Sequence, residues 1–304
     1  MLIGGTNVDI KLMLGFLTKN FLFNFSLILV SIILNWILYS YLILKKTKLK
    51  YSLFEKDSFA AWIEFIGAFI LPTLSLSAYA SKSPASNNVF IDFLICCAYS
   101  IIYIVLFNIL KFTGNKIISF SHIYGNDKRI DINKEIFEEN NTALSIYSTS
   151  LSIIFINIVK LFDIDTDYFM LSLLKISNVL IFTLISYIIY ILILNNKTTL
   201  FKEVFINNNA ASVTSFLGFT FAVQYILDNT ISLQTDFIFI ELLAVSMVSL
   251  LVFGILSVLI KYIFTFIAKV DFWKEIYLQS NIGAAIGQSA LYIGIACVII
   301  GFIR

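Results

Sequence analysis

The chain has 304 residues, of which 59% are hydrophobic and 13% charged, with a net charge of +2. That leaves too little polar surface to clothe a water-soluble globule, so the sequence reads as an all-α polytopic membrane protein whose main partner is the lipid bilayer. The near-neutral charge gives no basic footprint for nucleic acid, and none is implied as a partner.

A membrane-spanning helix needs roughly 20 apolar residues, and the sequence offers eight such runs, at about 21–44, 58–80, 91–112, 141–161, 172–194, 209–227, 238–261 and 281–302. Residues 1–20 lack the basic start and small-residue cleavage pattern of a secretory signal, so the first run is expected to stay as a membrane helix. The runs pair as four hairpins over residues 1–80, 81–161, 162–227 and 228–304. The longest connection, about 113–140, is too short and polar for a separate domain and predicts a surface helix-turn. Most of the 21 Lys and Arg residues, including Lys45, Lys46, Lys111, Lys128, Arg129, Lys134, Lys202 and Lys274, fall on one side of the predicted spans. By the positive-inside rule that side is cytoplasmic and both termini face outward. The other side is short-looped and acidic, with Asp163, Asp165 and Asp167 in DIDTD; this lacks the glycine and distal glutamate of a calcium loop and reads as a solvated turn.

One stretch recurs where each hairpin's second helix begins: KEIFEENNTA at Lys134, KEVFINNNAA at Lys202 and KEIYLQSNIGAA at Lys274. Asn141, Asn209 and Asn281 are in register, and YSLFEKDSFAA at Tyr51 places Ser58 at the same point. Spacings of about 70 to 80 residues are those of a duplicated two-helix unit. These residues are expected to cap helix N-termini by accepting orphan backbone N–H bonds; four such ends on one side also suggest an anion site, which Asp57, Glu135, Glu138 and Glu139 oppose. Nine residues beyond the caps stand Gly67, Ser150, Gly218 and Ala290.

In the last helix Gly283, Gly287, Ala290 and Gly294 recur at intervals of four and three, a stripe that lets another backbone approach closely. The sixth helix repeats it around Gly218, and the second puts Glu64 on that face beside Gly67. The expectation is therefore an inner layer of even-numbered helices with small residues, and an outer layer of bulky odd-numbered ones containing Ser186 on a lipid-facing side. All four hairpins point the same way across the bilayer, which fits an axis along the membrane normal and not inverted repeats.

Glu64 is the leading candidate for intramembrane function, because burying its charge costs at least about 2.5 kcal/mol at mid-bilayer. The competing reading is a carboxyl hydrogen-bonded to a neighbouring helix as packing glue. Catalytic material is thin. His122 is the one histidine, the three cysteines lie in apolar runs without metal-ligand spacing, and no phosphate loop or hydrolase motif is present. No enzyme activity, cofactor or metal is expected.

NNNAASVTSFLGFTFAV and FAAWIEFIGAFILPTLSLSA resemble the asparagine-alanine helices of the YjfL-like bacterial inner-membrane proteins, domain of unknown function 350. The resemblance is carried by Asn141, Asn209, Asn281, Gly67, Gly218 and Pro72; Ser58, Ser150 and Ala290 depart from it. Those proteins typically have two hairpins, so this chain looks like a doubled version. The resemblance implies a bacterial inner-membrane protein, in a gene neighbourhood of phage-shock-type membrane proteins and ATP-grasp enzymes, and hence a link to envelope or membrane stress with other membrane or peripheral stress proteins as partners. The function read from the sequence is a non-enzymatic scaffold or sensor; the alternative is a channel or carrier for ions or small cations using Glu64.

Overall fold

The computed structural model describes residues 10–44, 49, 51–82, 89–120, 130–162, 169–191, 200–232, 239–269 and 271–303. The helices are α1 (Ile10–Leu38), α2 (Phe59–Phe65), α3 (Leu71–Ala80), α4 (Val89–Phe120), α5 (Thr142–Lys160), α6 (Phe169–Ile189), α7 (Leu200–Phe205), α8 (Ala210–Ser232), α9 (Phe239–Ala268) and α10 (Ile282–Ile303), and no strand occurs among the described residues. Among the described residues eight helical stretches are long and apolar enough to cross a membrane. Two boundaries differ from the sequence reading. The described part of the first helix reaches back to Ile10, ahead of its apolar span Phe23–Leu44, and α4 continues to Phe120, so the start of the expected 113–140 loop is helix. Hydropathy marks where a helix can lie in lipid, not where its hydrogen-bond ladder stops.

α2 and α3 form one span, Phe59–Ala80, joined by a π-helical segment at Ile66–Ile70. Pro72 has no N–H to return to the preceding turn, and the widened turn is where the helix absorbs that loss. The neighbouring Phe69 carbonyl instead accepts from Asn35 Nδ2 at 3.1 Å and Thr73 Oγ1 at 2.6 Å. Asn108 Nδ2 donates to Asn35 Oδ1 at 2.8 Å, tying α4 to α1. Buried amides that satisfy one another across helices are the polar glue of membrane bundles.

The second helices of the hairpins stand in a row: α2–α3 packs on α5, α5 on α8, and α8 on α10. Around it lie α1 with α4 and α6 with α9, which carry many exposed residues such as Ile33, Ile109, Leu184 and Ile255. The closest approaches come at small residues. A Cβ on Gly67 would overlap Thr149 of α5, and one on Gly218 would overlap Ser289 of α10.

The layer assignment needs correcting at its end. α8 has 72% of its window buried but α10 only 33%, so α10 is the edge of the row and not an inner helix. Gly283, Gly287, Ala290 and Gly294 are exposed, and nothing lies within 4 Å of a Cβ placed at Gly287 or Gly294. The opposite side of α10, with Gln288, Tyr292 and Ala296, faces the core. Apolar stripes and small-residue stripes coexist on this helix, and the bulkier one meets the aromatic ring cluster of Phe219 and Phe253. Ser186 is likewise buried at 4% exposure, contrary to the expected lipid-facing position.

Candidate functional site

The motif residues build four similar helix starts. Ser58 Oγ accepts from Ala61 N at 3.2 Å, Asn141 Oδ1 from Leu144 N at 2.9 Å, Asn209 Oδ1 from Ala211 N at 3.1 Å and Ser212 N at 3.2 Å, and Asn281 Oδ1 from Ala284 N at 3.1 Å. Each accepts one of the N–H groups that a helix start leaves unpaired. The asparagine amides turn back to a glutamate six residues earlier: Asn141 to Glu135, Asn209 to Glu203 and Asn281 to Glu275, at 3.3, 2.9 and 2.9 Å. Serine has no amide to make this bond, and Ser52 replaces the glutamate in the first copy. The Lys-Glu spelling of the motif contained that partner, but its distance from the asparagine gave no reason to pair them.

A second feature escaped the sequence reading. The residue before each cap, Asp57, Asn140, Asn208 or Ser280, has φ of 52°, 57°, 44° or 51°, the left-handed region that Asn and Asp tolerate best among residues with a side chain. This turn aims two of the side chains at the preceding helix of the row. Asn140 Oδ1 accepts from Ala60 N at 3.0 Å and from Ser58 Oγ at 2.8 Å; Asn208 Oδ1 accepts from Ala143 N at 3.1 Å. Lys56 Nζ donates to the Glu138 carbonyl, and Asn209 Nδ2 to the Ile276 carbonyl at 3.1 Å. Helix starts are thus capped partly by the next unit, which locks neighbouring helices in register. Acidic Glu135, Glu203 and Glu275 sit at these caps, and their charge opposes an anion there.

Beneath the first cap, by roughly 9 Å of helix rise, lies Glu64. It points inward, at 1% exposure. Lys111 of α4 meets it, with Nζ 3.3 Å from Glu64 Oε1 and a side chain also 1% exposed. Lys111 was assigned from sequence to the basic face outside the spans; instead it is held inside the bundle. Its ammonium donates to the Ser148 carbonyl at 2.9 Å, Ser148 Oγ at 2.6 Å and Ser152 Oγ at 3.0 Å. The pair therefore ties α2, α4 and α5 together. Glu64 Oε2 and the hydroxyl of nearby Tyr39 are buried without a hydrogen-bond partner among the described residues. No sequence periodicity could link Glu64 to a lysine 47 positions later, and position near a span end concealed it.

The corresponding place in the second half is neutral. Ser215, like Glu64, is six residues after its cap, and Tyr190 packs against Phe216 and Phe219 much as Tyr39 packs against Phe65 and Phe69. Ser215 Oγ donates to Gln288 Oε1 at 2.8 Å, Gln288 Nε2 to Tyr292 Oη at 2.8 Å, and the Tyr190 and Tyr277 hydroxyls lie 3.0 Å apart. Burial, followed by the neighbouring Tyr190, holds the Tyr277 phenol well above its ordinary pKa, so the network stays uncharged.

Between α5, α6 and α8 there is a cavity of about 310 Å³, lined by Tyr147, Thr183, Tyr187, Phe216, Thr220 and Gln224 among others. Gln224 on its wall donates to Thr183 Oγ1 and accepts from Asn157 Nδ2, which lines a neighbouring smaller cavity. Neither Glu64 nor Lys111 lines this cavity or the two smaller ones. Among the described residues no three His, Cys, Asp or Glu side chains converge as a metal site. His122 and the DIDTD aspartates lie outside the described residues.

Neither a curated protein nor a solved structure matches the chain. The family model for Domain of Unknown Function (DUF350) matches residues 167–303. Those residues run from α6 to α10 and contain two of the four capped helix starts, so the C-terminal part of the membrane protein is similar to the DUF350 family.

Proposed function

We propose that the chain is a non-enzymatic component of a bacterial inner membrane, acting as a scaffold or sensor in a system linked to envelope or membrane stress. The observation that supports this most is the engagement of Glu64. Its carboxylate faces a lysine that three further oxygens hold in place, so the charge is committed to joining helices and is not presented to a cavity. A buried pair of this kind needs every partner, because either charge alone is strongly disfavoured. The stress link rests on the family resemblance and its gene neighbourhood.

The alternative is a carrier for ions or small cations, for which Lys111 would have to release Glu64 during the cycle. It draws support from Glu64 Oε2 and the Tyr39 hydroxyl, both buried without a hydrogen-bond partner among the described residues. Flux in proteoliposomes separates the readings. Purified protein should pass potassium or a polyamine no faster than empty vesicles, and Glu64→Gln should leave that baseline unchanged. A flux above baseline that Glu64→Gln abolishes, in vesicles where that variant keeps the helical circular dichroism of the parent, would establish the carrier and remove the scaffold.

A further inference from the structure

The exposed face of α10 corresponds, position for position from the cap, to faces that the row covers elsewhere. Nine residues after the cap, Gly67 lies under Thr149 of the next helix and Gly218 under Ser289; six after it, Tyr147 stacks on Phe216 of the next. On α10 these positions are Ala290 and Gly287, and both are exposed. The other edge of the row belongs to α2–α3. Ile66 there is the counterpart of Thr149 and Ser289, the residues that seat over glycine, and it is 42% exposed between Phe59 and Leu74, which are exposed too. A bulky ridge at one edge thus matches a strip of small residues, Gly287 and Ala290, at the other, a pairing of ridge and groove on which membrane helices associate.

The cap turn carries an independent part of the same match. Asn140 and Asn208 use their left-handed conformation to accept from the N–H two residues past the preceding helix's cap, that of Ala60 or Ala143. Asp57 has the same conformation and is exposed, at the edge where no further helix start precedes it in the row among the described residues. The N–H that completes the series at the far edge is that of Gly283, and a carboxylate suits a helix N-terminus better than an amide does.

We infer that a second copy of the chain docks head to tail on α10, with Asp57 of the partner subunit accepting from Gly283 N–H and Ile66 of the partner subunit seated against Gly287 and Ala290. The contact repeats between chains the junction that α5 and α8 make within one. It goes beyond the scaffold reading and does not depend on it, since a carrier could assemble in the same way.

Because such a contact is heterologous, it propagates beyond two copies. Both cysteines are therefore placed in one chain, Ile66→Cys with Ala290→Cys, in a background of Cys96→Ala, Cys97→Ala and Cys297→Ala. Oxidation in native membranes should give a ladder of dimers, trimers and larger species, whereas either cysteine alone should give none. Adding Gly287→Leu should reduce the ladder about tenfold, equivalent to about 1.4 kcal/mol of association, with no change in the melting temperature of detergent-solubilised protein. A dimer that forms with Ala290→Cys alone would mean that two α10 helices pair face to face, and would overturn the inference. Absence of any cross-link, in membranes where the double-cysteine protein melts like its cysteine-free parent, would mean that lipid covers the face and would overturn it as well. So would a ladder indifferent to Gly287→Leu.

Discussion

Removing either member of the Glu64–Lys111 pair leaves the other buried with no counter-charge, because both side chains are almost wholly inaccessible. Lys111→Met should therefore destabilise the protein by roughly 3–5 kcal/mol, the cost of a broken buried pair. Glu64→Gln should cost a similar amount, since the amide cannot neutralise an ammonium held by Ser148 and Ser152. The double variant Glu64→Leu with Lys111→Met should recover most of the loss, as apolar replacements for whole buried pairs often do. Chemical denaturation in detergent measures all three. Additive losses in the double variant would show that the two residues do not act as a pair. The charge on Glu64 and its inward direction were legible in the sequence; the partner was not, because contact across helices depends on packing angles and leaves no periodicity in the chain.

At the scale of a helix, the small-residue stripe was legible as a stripe, but its partner was not. Spacing of four and three says that a backbone can approach, and is silent on whether the approaching helix belongs to the same chain. The structure places Gly218 against Ser289 and leaves Gly287 open. Gly218→Leu should thus cost about 1–3 kcal/mol or more through overpacking, while Gly287→Leu should leave the thermal melt of the solubilised protein unchanged. Ser186→Leu should cost less than Gly218→Leu, since Ser186, though buried on α6, borders the cavity of about 310 Å³ that can take the added methyl groups. Equal melting temperatures for Gly218→Leu and Gly287→Leu would contradict the row in which α8 is central and α10 peripheral. Helix starts were the most legible elements, because a cap is written in adjacent residues: an asparagine, then an apolar run. Even there, the bonds from Asn140 and Asn208 to a neighbouring helix could not be foreseen, as they depend on the left-handed turn that precedes the cap.

For the whole molecule, all of these caps must lie at one face, since Lys56, Asn140, Asn208 and Asn209 bond from one helix start to the next. The family model covers only residues 167–303, yet the start of α5, outside that match, has the same asparagine-to-glutamate bond as the starts of α8 and α10. The likeness among the helix starts therefore reaches α5 through the same residues and bond, and α2 through its left-handed turn and capping bond, with Ser58 in place of asparagine and Ser52 in place of glutamate. An alignment scores the substitution; the shared backbone turn survives it. Since every second helix starts at the cap face and runs away from it, the far ends of α3, α5 and α8 lie across the bilayer from the caps. The cap face carries exposed Lys56, Lys134, Lys202 and Lys274, and by the positive-inside rule we propose that it meets the cytoplasm. Gln279→Cys at the cap face should accordingly react with an impermeant maleimide only in inside-out vesicles, and Lys82→Cys, exposed at the end of α3, only in right-side-out ones. Both variants require the background without Cys96, Cys97 and Cys297, because Cys297 is itself exposed. Labelling of Gln279→Cys and Lys82→Cys from the same side would break the single cap face and the parallel run of helices built on it, whereas opposite labelling with the two sides exchanged would keep the row and reverse only its orientation.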